Sequence, residues 1–208
     1  MLDFFNLLDK IPYDQNFALI RRNKQIYVDK TDIIYDLAYE NRPQFLSRPR
    51  RFGKSTIISI LKELFTHGVK DFIDENGVKH ESYFKGLAIE KLWTEEKEYK
   101  VIHLNFASLV KDKKLIQANI DEKDVKLAKN SYNLAHAIES FRLGFALQIK
   151  NHFSIYNIEV DPNIHDPTNL LSDFVKKAGI SETVLLIDEY DYPLTHPQDN
   201  LTKDEFEF

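Results

Sequence analysis

The spacing of hydrophobic positions changes along this chain, and the changes mark out its elements. Gln25-Ile26-Tyr27-Val28 reads as a short strand. Thr31 is then placed to cap a helix that carries Ile33, Ile34, Leu37 and Ala38 on one face and is broken by Asn41-Arg42-Pro43. Phe45-Leu46-Ser47 predicts a short buried strand, stopped by Pro49, which has no N–H for a ladder. Ile57, Ile60, Leu61, Leu64 and Phe65 fall at i, i+3, i+4, i+7 and i+8, the apolar stripe of a helix, and Gly68 sits where a closing glycine belongs. From 71 to 98 the chain is polar and turn-rich around an aromatic segment, Tyr83 to Trp93. Val101 to Phe106 predicts a strand. Leu134, Ile138, Phe141, Phe145 and Ile149 space out a long amphipathic helix weakened by Gly144. Asp166-Pro167 pairs a cap residue with proline at the first helical position, and Gly179 closes that helix. Thr183-Val184-Leu185-Leu186-Ile187 is a continuous apolar run, expected of a strand buried on both faces of a parallel sheet. Strands alternating with helices predict a three-layer α/β domain, and with no repeat or linker it is a single domain over 1–208.

Composition narrows the class. With 208 residues, 43% of them hydrophobic, the chain is long enough for a core of its own. It has no cysteine, which excludes a disulfide framework, a thiolate metal site and a cysteine nucleophile. Met1 to Lys10 has neither the basic start nor the apolar stretch of a secretory leader, and no apolar run approaches the roughly 20 residues of a membrane helix. The expectation is a cytoplasmic protein with no membrane partner. A net charge of −5 argues against a protein that coats nucleic acid. The charge is uneven: residues 1–66 hold 11 basic and 8 acidic side chains, whereas 158–208 hold 3 basic and 12 acidic. Such halves attract each other, or jointly hold an anion and a cation.

Two short strings carry chemistry. Gly53-Lys54-Ser55 lies just before the best-defined helix, where backbone N–H groups, a helix N-terminus and a lysine ammonium suit a phosphate chain. Lys54 would reach the β- and γ-phosphates and Ser55 would ligate Mg²⁺. A full phosphate loop has glycine five positions before Gly53, and here that residue is Arg48. Ile187-Asp188-Glu189 ends the apolar strand, where open α/β sheets bind ligands. Asp188 would hold Mg²⁺, and Glu189 would orient and deprotonate the attacking water. Gly-Lys-Ser/Thr arises by chance in about one chain in ten of this length, and four apolar residues before Asp-Glu in roughly one in a hundred. Both together, in order and on the right elements, are about a one-in-a-thousand accident, so the nucleotide reading outweighs coincidence. Arg48, Arg50 and Arg51 flank the loop and suit phosphates; the alternatives are a solvated loop or ion pairs to carboxylates such as Asp29. Asp191 reads as a turn residue before it reads as a metal ligand. His103, inside a strand, reads as a satisfied core residue.

With these strings in hand, the sequence resembles the predicted AAA-ATPase-like family, whose bacterial members often carry a C-terminal PD-(D/E)XK nuclease-like domain. Four blocks carry the resemblance: Tyr27 to Thr31 (YVDKT), Ser47 to Ser55 (SRPRRFGKS), Tyr99 to Phe106 (YKVIHLNF) and Val184 to Pro193 (VLLIDEYDYP). It covers about residues 12–195, and it accounts for the missing first glycine as a family habit. The resemblance implies a P-loop NTPase-like three-layer α/β/α fold with a mostly parallel sheet and ATP with Mg²⁺ as cofactors. The implied nucleotide-binding residues are Arg48, Arg51, Phe52, Gly53, Lys54, Ser55 and Thr56. Ser55 and Asp188 are the implied metal ligands, and Glu189 with Lys54 the implied catalytic residues. Tyr192 departs from the family, which tends to have lysine there.

The resemblance also implies a sheet order of 5-1-4-3-2, with a sensor strand after the Walker B strand. Only Pro193 to Phe208 follows here, and a crossover takes at least about 10–12 residues before a new strand begins. The expected sheet is therefore incomplete at the C-terminus, without sensor strand or nuclease-like domain. The reading that follows is an ATP-binding domain with Mg²⁺-dependent phosphate binding and weak hydrolysis at most. Its alternatives are a truncated, inert member that needs a second polypeptide, and a non-enzymatic interaction module. The sequence leaves open whether nucleic acid or protein is the downstream target.

Overall fold

A computed structural model describes residues 11–12, 15–40, 42–47, 49, 52–74, 76–108 and 132–192, with the backbone alone over 132–140. The chain divides into two compact units, Met1–Val101 and Ile102–Phe208. The described residues form a mixed α/β structure with two small sheets, one antiparallel and one parallel.

The first unit is built on helices α1 (Phe17–Arg22), α2 (Thr31–Tyr39) and α3 (Lys54–His67), a hairpin of β1 (Phe72–Ile73) and β2 (Lys79–His80), and the single turn α4 (Ile89–Leu92). The stripe on α3 behaves as its spacing predicts. Ile60, Leu61 and Leu64 are buried, Ile57 and Phe65 flank them half-buried, and Gly68 closes the helix with its N–H on the Leu64 carbonyl. Phe17 is wholly buried, 5.1 Å from Phe84 and 5.3 Å from Tyr27 between ring centroids, and its N–H donates to Ser59 Oγ on α3. Trp93 meets Phe65 edge-on at 5.8 Å, and with Tyr83 and Phe84 also buried the 83–93 aromatics are core.

Two predicted strands do not form. Residues 25–28 are irregular: Gln25 N–H returns to the Ile20 carbonyl at the end of α1, and Ile26 and Val28 are exposed. Residues 45–47 are irregular as well, with Phe45 72% exposed. That three-residue stretch lies between Pro43 and Pro49, neither of which can donate to a ladder. An apolar trio supplies the composition of a buried strand without supplying its partners.

The start of α2 is organised differently from the expectation, and more firmly. Thr31 is the first helical residue, and Asp29 does the capping. Asp29 Oδ1 accepts from Thr31 N–H (2.9 Å) and from Thr31 Oγ1 (2.7 Å), while Oδ2 accepts from Ala88 N–H (2.8 Å). Thr31 Oγ1 in turn accepts from the N–H of Ile89, and both residues are fully buried. Burial pushes the Asp29 carboxyl up, but these hydrogen bonds and the charge of Arg21 outweigh it and hold the group below the usual carboxylate range. The Tyr27-to-Thr31 block is therefore a clamp between α2 and the segment that opens α4.

The strand β3 (Lys100–Asn105) starts at the end of the first unit and continues into the second, which also contains helices α5 (Tyr132–Ile155) and α6 (Pro167–Ala178), a 3-10 turn at Ile180–Glu182 and β4 (Thr183–Asp188). Ile102 and Leu104 of β3 pack with Ala146, Ile149 and Phe153 of α5 and Leu170, Phe174 and Ala178 of α6. Asp166 caps α6 as predicted, accepting from Thr168 and Asn169 N–H with Pro167 next in line. The side chains of Leu134 and Ile138 lie outside the described residues, but Phe141 and Phe145 both pack edge-on against Phe106. The run at 183–187 departs from expectation in burial. Leu186 is buried, whereas Leu185 and Ile187, on the opposite face, are 44% and 41% exposed. Alternate residues of β4 therefore differ in burial, with Leu186 and Asp188 buried and Leu185 and Ile187 exposed.

Two predictions follow from the first unit. Thr31→Val keeps the shape but leaves the buried Ile89 N–H unsatisfied, so chemical denaturation should show a loss of about 1–3 kcal/mol; a loss below about 0.5 kcal/mol would mean that the clamp is idle. The second concerns His67, which stacks on Phe72 at 3.8 Å. Burial, then the charges of Lys62, His80 and Arg22, lower its pKa to about 4. Glu63, 3.8 Å away, is raised by its own burial, so at neutral pH the pair is not held by ionic attraction to a charged imidazole. An unfolded chain binds this proton below about pH 6.5, and the folded one only near 4. Stability is thus complete above about 6.5 and falls with pH across that window, by at most about 1.4 kcal/mol per pH unit. In His67→Gln the slope between about pH 5 and 6.5 should flatten; an unchanged slope would refute the buried neutral imidazole.

Candidate functional site

The two chemistry-bearing strings lie in different units and are described in turn. Gly53 sits at the N-cap of α3 with φ +76°, a left-handed conformation that favours glycine. A Cβ built there meets nothing within 4 Å, so the requirement is conformational rather than steric. The Gly53 carbonyl accepts from Ile57 N–H at 3.0 Å. The amides of Lys54, Ser55 and Thr56 therefore belong to the open first turn and point out of the helix end. Among the described residues no side chain caps them. Lys54, Ser55 and Thr56 are half-buried, and Phe52 is 63% exposed just before the turn. Arg48, Arg50 and Arg51 lie outside the described residues. Asp29, the carboxylate suggested for one of them, has both oxygens engaged by Thr31 and Ala88.

In the second unit Asp188 ends β4 and is only 6% exposed. Its Oδ1 accepts from the Glu189 N–H at 2.9 Å, and among the described residues Oδ2 carries no hydrogen bond. A buried carboxylate is retained where it is paired or coordinates a cation. Glu189 follows with φ +52°, a left-handed conformation that is strained for a residue with a Cβ. Its carbonyl accepts from Tyr192 N–H at 2.9 Å, so Asp191 lies in a turn, as its position beyond the strand suggests. Among the described residues, no three His, Cys, Asp or Glu side chains converge as a metal site. Magnesium takes one or two protein ligands and completes its shell with phosphate oxygens and water, and the hydroxyl of Ser55 and the carboxylate of Asp188 are donors of that hard type.

The strand beside Asp188 carries residues that sequence reading passed over. Phe106 N–H donates to the Asp188 carbonyl at 3.1 Å. One residue earlier, Asn105 has both backbone groups bound by the Gln148 carboxamide: Asn105 N–H donates to Oε1 (3.0 Å) and Nε2 donates to the Asn105 carbonyl (2.9 Å). Four residues along α5, His152 Nε2 lies 3.2 Å from His103 N and 3.1 Å from its carbonyl, and serves one of the two according to its tautomer. The available signal was two polar residues, i and i+4, on the same helix as Ala146, Ile149 and Phe153.

Replacing Glu189 separates its backbone strain from its chemistry. Glu189→Ala and Glu189→Gly both remove the carboxylate, and only glycine relieves the positive φ. The glycine variant should be more stable than the alanine variant by about 1 kcal/mol in urea denaturation. Equal stabilities, or a more stable alanine variant, would show that the turn relaxes at no cost.

Comparison with known proteins fits the strings at both places. The chain is 28% identical over 193 residues to an uncharacterized protein in the vnfD 5′ region of Azotobacter chroococcum mcd 1. The match takes in 92% of this chain and 30% of that protein, so the chain spans less than a third of its relative's length. No solved structure matches. The family model described as Predicted AAA-ATPase matches residues 13–206 and takes in both the Gly53 loop and the Asp188-Glu189 pair. The chain belongs to this predicted AAA-ATPase family.

Proposed function

We propose that this chain is an ATP-binding domain of P-loop type, with the three-layer fold that such domains share and the capacity for slow Mg²⁺-dependent hydrolysis. Family membership supports ATP as the nucleotide. The observation that carries the reading further is the uncapped start of α3. Asn16 caps α1, Asp29 serves α2 and Asp166 caps α6, while α3 begins at a left-handed glycine and leaves its first amides to an outside acceptor. A chain of phosphates is an acceptor of the right charge for a helix N-terminus.

In this reading Lys54 neutralises the β- and γ-phosphates while the amides of Lys54, Ser55 and Thr56 bind their oxygens. Arg48, Arg51 and Phe52 flank the nucleotide. Ser55 Oγ and Asp188 would hold Mg²⁺, which supplies neutralisation of the phosphate charge. Glu189 orients the attacking water and accepts its proton as the water oxygen bonds to the γ-phosphorus and the bond to the bridging oxygen breaks. The strained backbone at Glu189 supports a functional placement, since such conformations persist where position matters more than stability.

Isothermal titration with ATP and Mg²⁺ tests the binding half. Lys54→Ala should weaken binding roughly 10- to 100-fold, the worth of a charge-assisted hydrogen bond of about 1.5–3 kcal/mol. Glu189→Gln should keep the wild-type affinity and lose about 10²- to 10⁴-fold in phosphate release. Saturable binding unchanged in Lys54→Ala would defeat the proposed site, and a wild-type chain that binds no ATP would favour an interaction module indifferent to nucleotide.

A further inference from the structure

At His103 and Asn105 the backbone of β3 meets side chains of α5. Gln148 and His152 stand four residues apart on α5, a rise of about 6.0 Å. Asn105 and His103 stand two residues apart on β3, a rise of about 6.6 Å. The near match lets the helix, running against the strand, address two successive outward-facing pairs of backbone groups. The two closures are not equivalent. Gln148 Nε2 also donates to Ser108 Oγ at 2.6 Å, and Ser108 Oγ donates to the Asn105 carbonyl at 2.8 Å, while Asn105 Oδ1 accepts from Ala107 N–H at 2.9 Å. Gln148 thus fixes the turn that ends β3, and the next amide in that turn, Phe106 N–H, holds the Asp188 carbonyl.

We propose that Gln148 is a positioning residue for the Asp188-Glu189 pair, acting through the end of β3. The relay has four parts: the carboxamide sets Asn105, Asn105 and Ser108 set Phe106, Phe106 N–H sets the Asp188 carbonyl, and the strained Glu189 backbone follows. A carboxamide suits this role because it presents a donor and an acceptor side by side, like the peptide group of a neighbouring strand. Its described partners are Asn105 and Ser108, at the end of β3, so its loss should disturb turnover through the Asp188-Glu189 backbone. That turnover effect rests on the ATPase reading above; the relay itself does not.

His152→Leu provides the control, because it opens the same edge two residues farther from Asp188. Gln148→Met keeps the length and packing of the side chain and removes its hydrogen bonds. Amide exchange in the nucleotide-free chain reads the relay directly. Gln148→Met should speed exchange at Phe106 and Glu189 about tenfold, the effect of losing one hydrogen bond, whereas His152→Leu should not. In turnover assays Gln148→Met should lower kcat about tenfold, and His152→Leu should lower it by no more than its loss of folded protein. Unchanged exchange at Phe106 and Glu189 in Gln148→Met, or equal kcat losses in the two variants, would overturn the proposal. A wild-type chain with no turnover whose exchange still responds to Gln148→Met would defeat the ATPase reading and support the relay.

Discussion

Backbone groups at the ends and edges of elements must find partners, and that requirement organises this protein. An unpaired buried N–H or C=O costs as much as a lost hydrogen bond, so each terminus must be capped, covered or left to an outside ligand. The chain uses all three solutions. Asp166 caps α6 and Asp29 serves α2; Gln148 and His152 cover the edge of β3; Gly53 leaves the start of α3 open. The open end is the one that carries Lys54 and Ser55.

The same requirement gives two family-resembling blocks different work. Tyr27-to-Thr31 contributes a clamp: Asp29 and Thr31 tie the start of α2 to the Ala88-Ile89 amides. Tyr99-to-Phe106 contributes the strand and, just past its end, the Phe106 amide that holds the Asp188 carbonyl. A motif shared within a family therefore marks here a clamp in one place and a support for the chemistry in another.

The long periodic elements were legible from residue order. Both long helices of the second unit, the stripe on α3 and the strands at 100–105 and 183–188 follow from spacing and cap residues, because those signals are local. Strands at 25–28 and 45–47 were misjudged for the converse reason. A strand is defined by a partner, and neither β-favouring composition nor an apolar trio supplies one. The exposed Leu185 and Ile187 make the same point about burial: the run has the composition of a two-sided strand, but composition does not supply the cover for its second face.

The sequence by itself determined the chemistry on offer: a lysine and a hydroxyl at a helix start, two carboxylates at a strand end, no thiol, and an acidic tail after a basic head. Residue identity and near-neighbour spacing suffice for that. Tertiary structure alone decided which polar side chains hold the carboxylate end in place, that Asp188 is buried, and that Glu189 is turned through a left-handed backbone. Gln148 lies 43 residues from Asn105 in sequence, and no local pattern encodes a hydrogen bond across that distance. Packing does, by bringing a helix with a 6 Å repeat against a strand of nearly the same repeat.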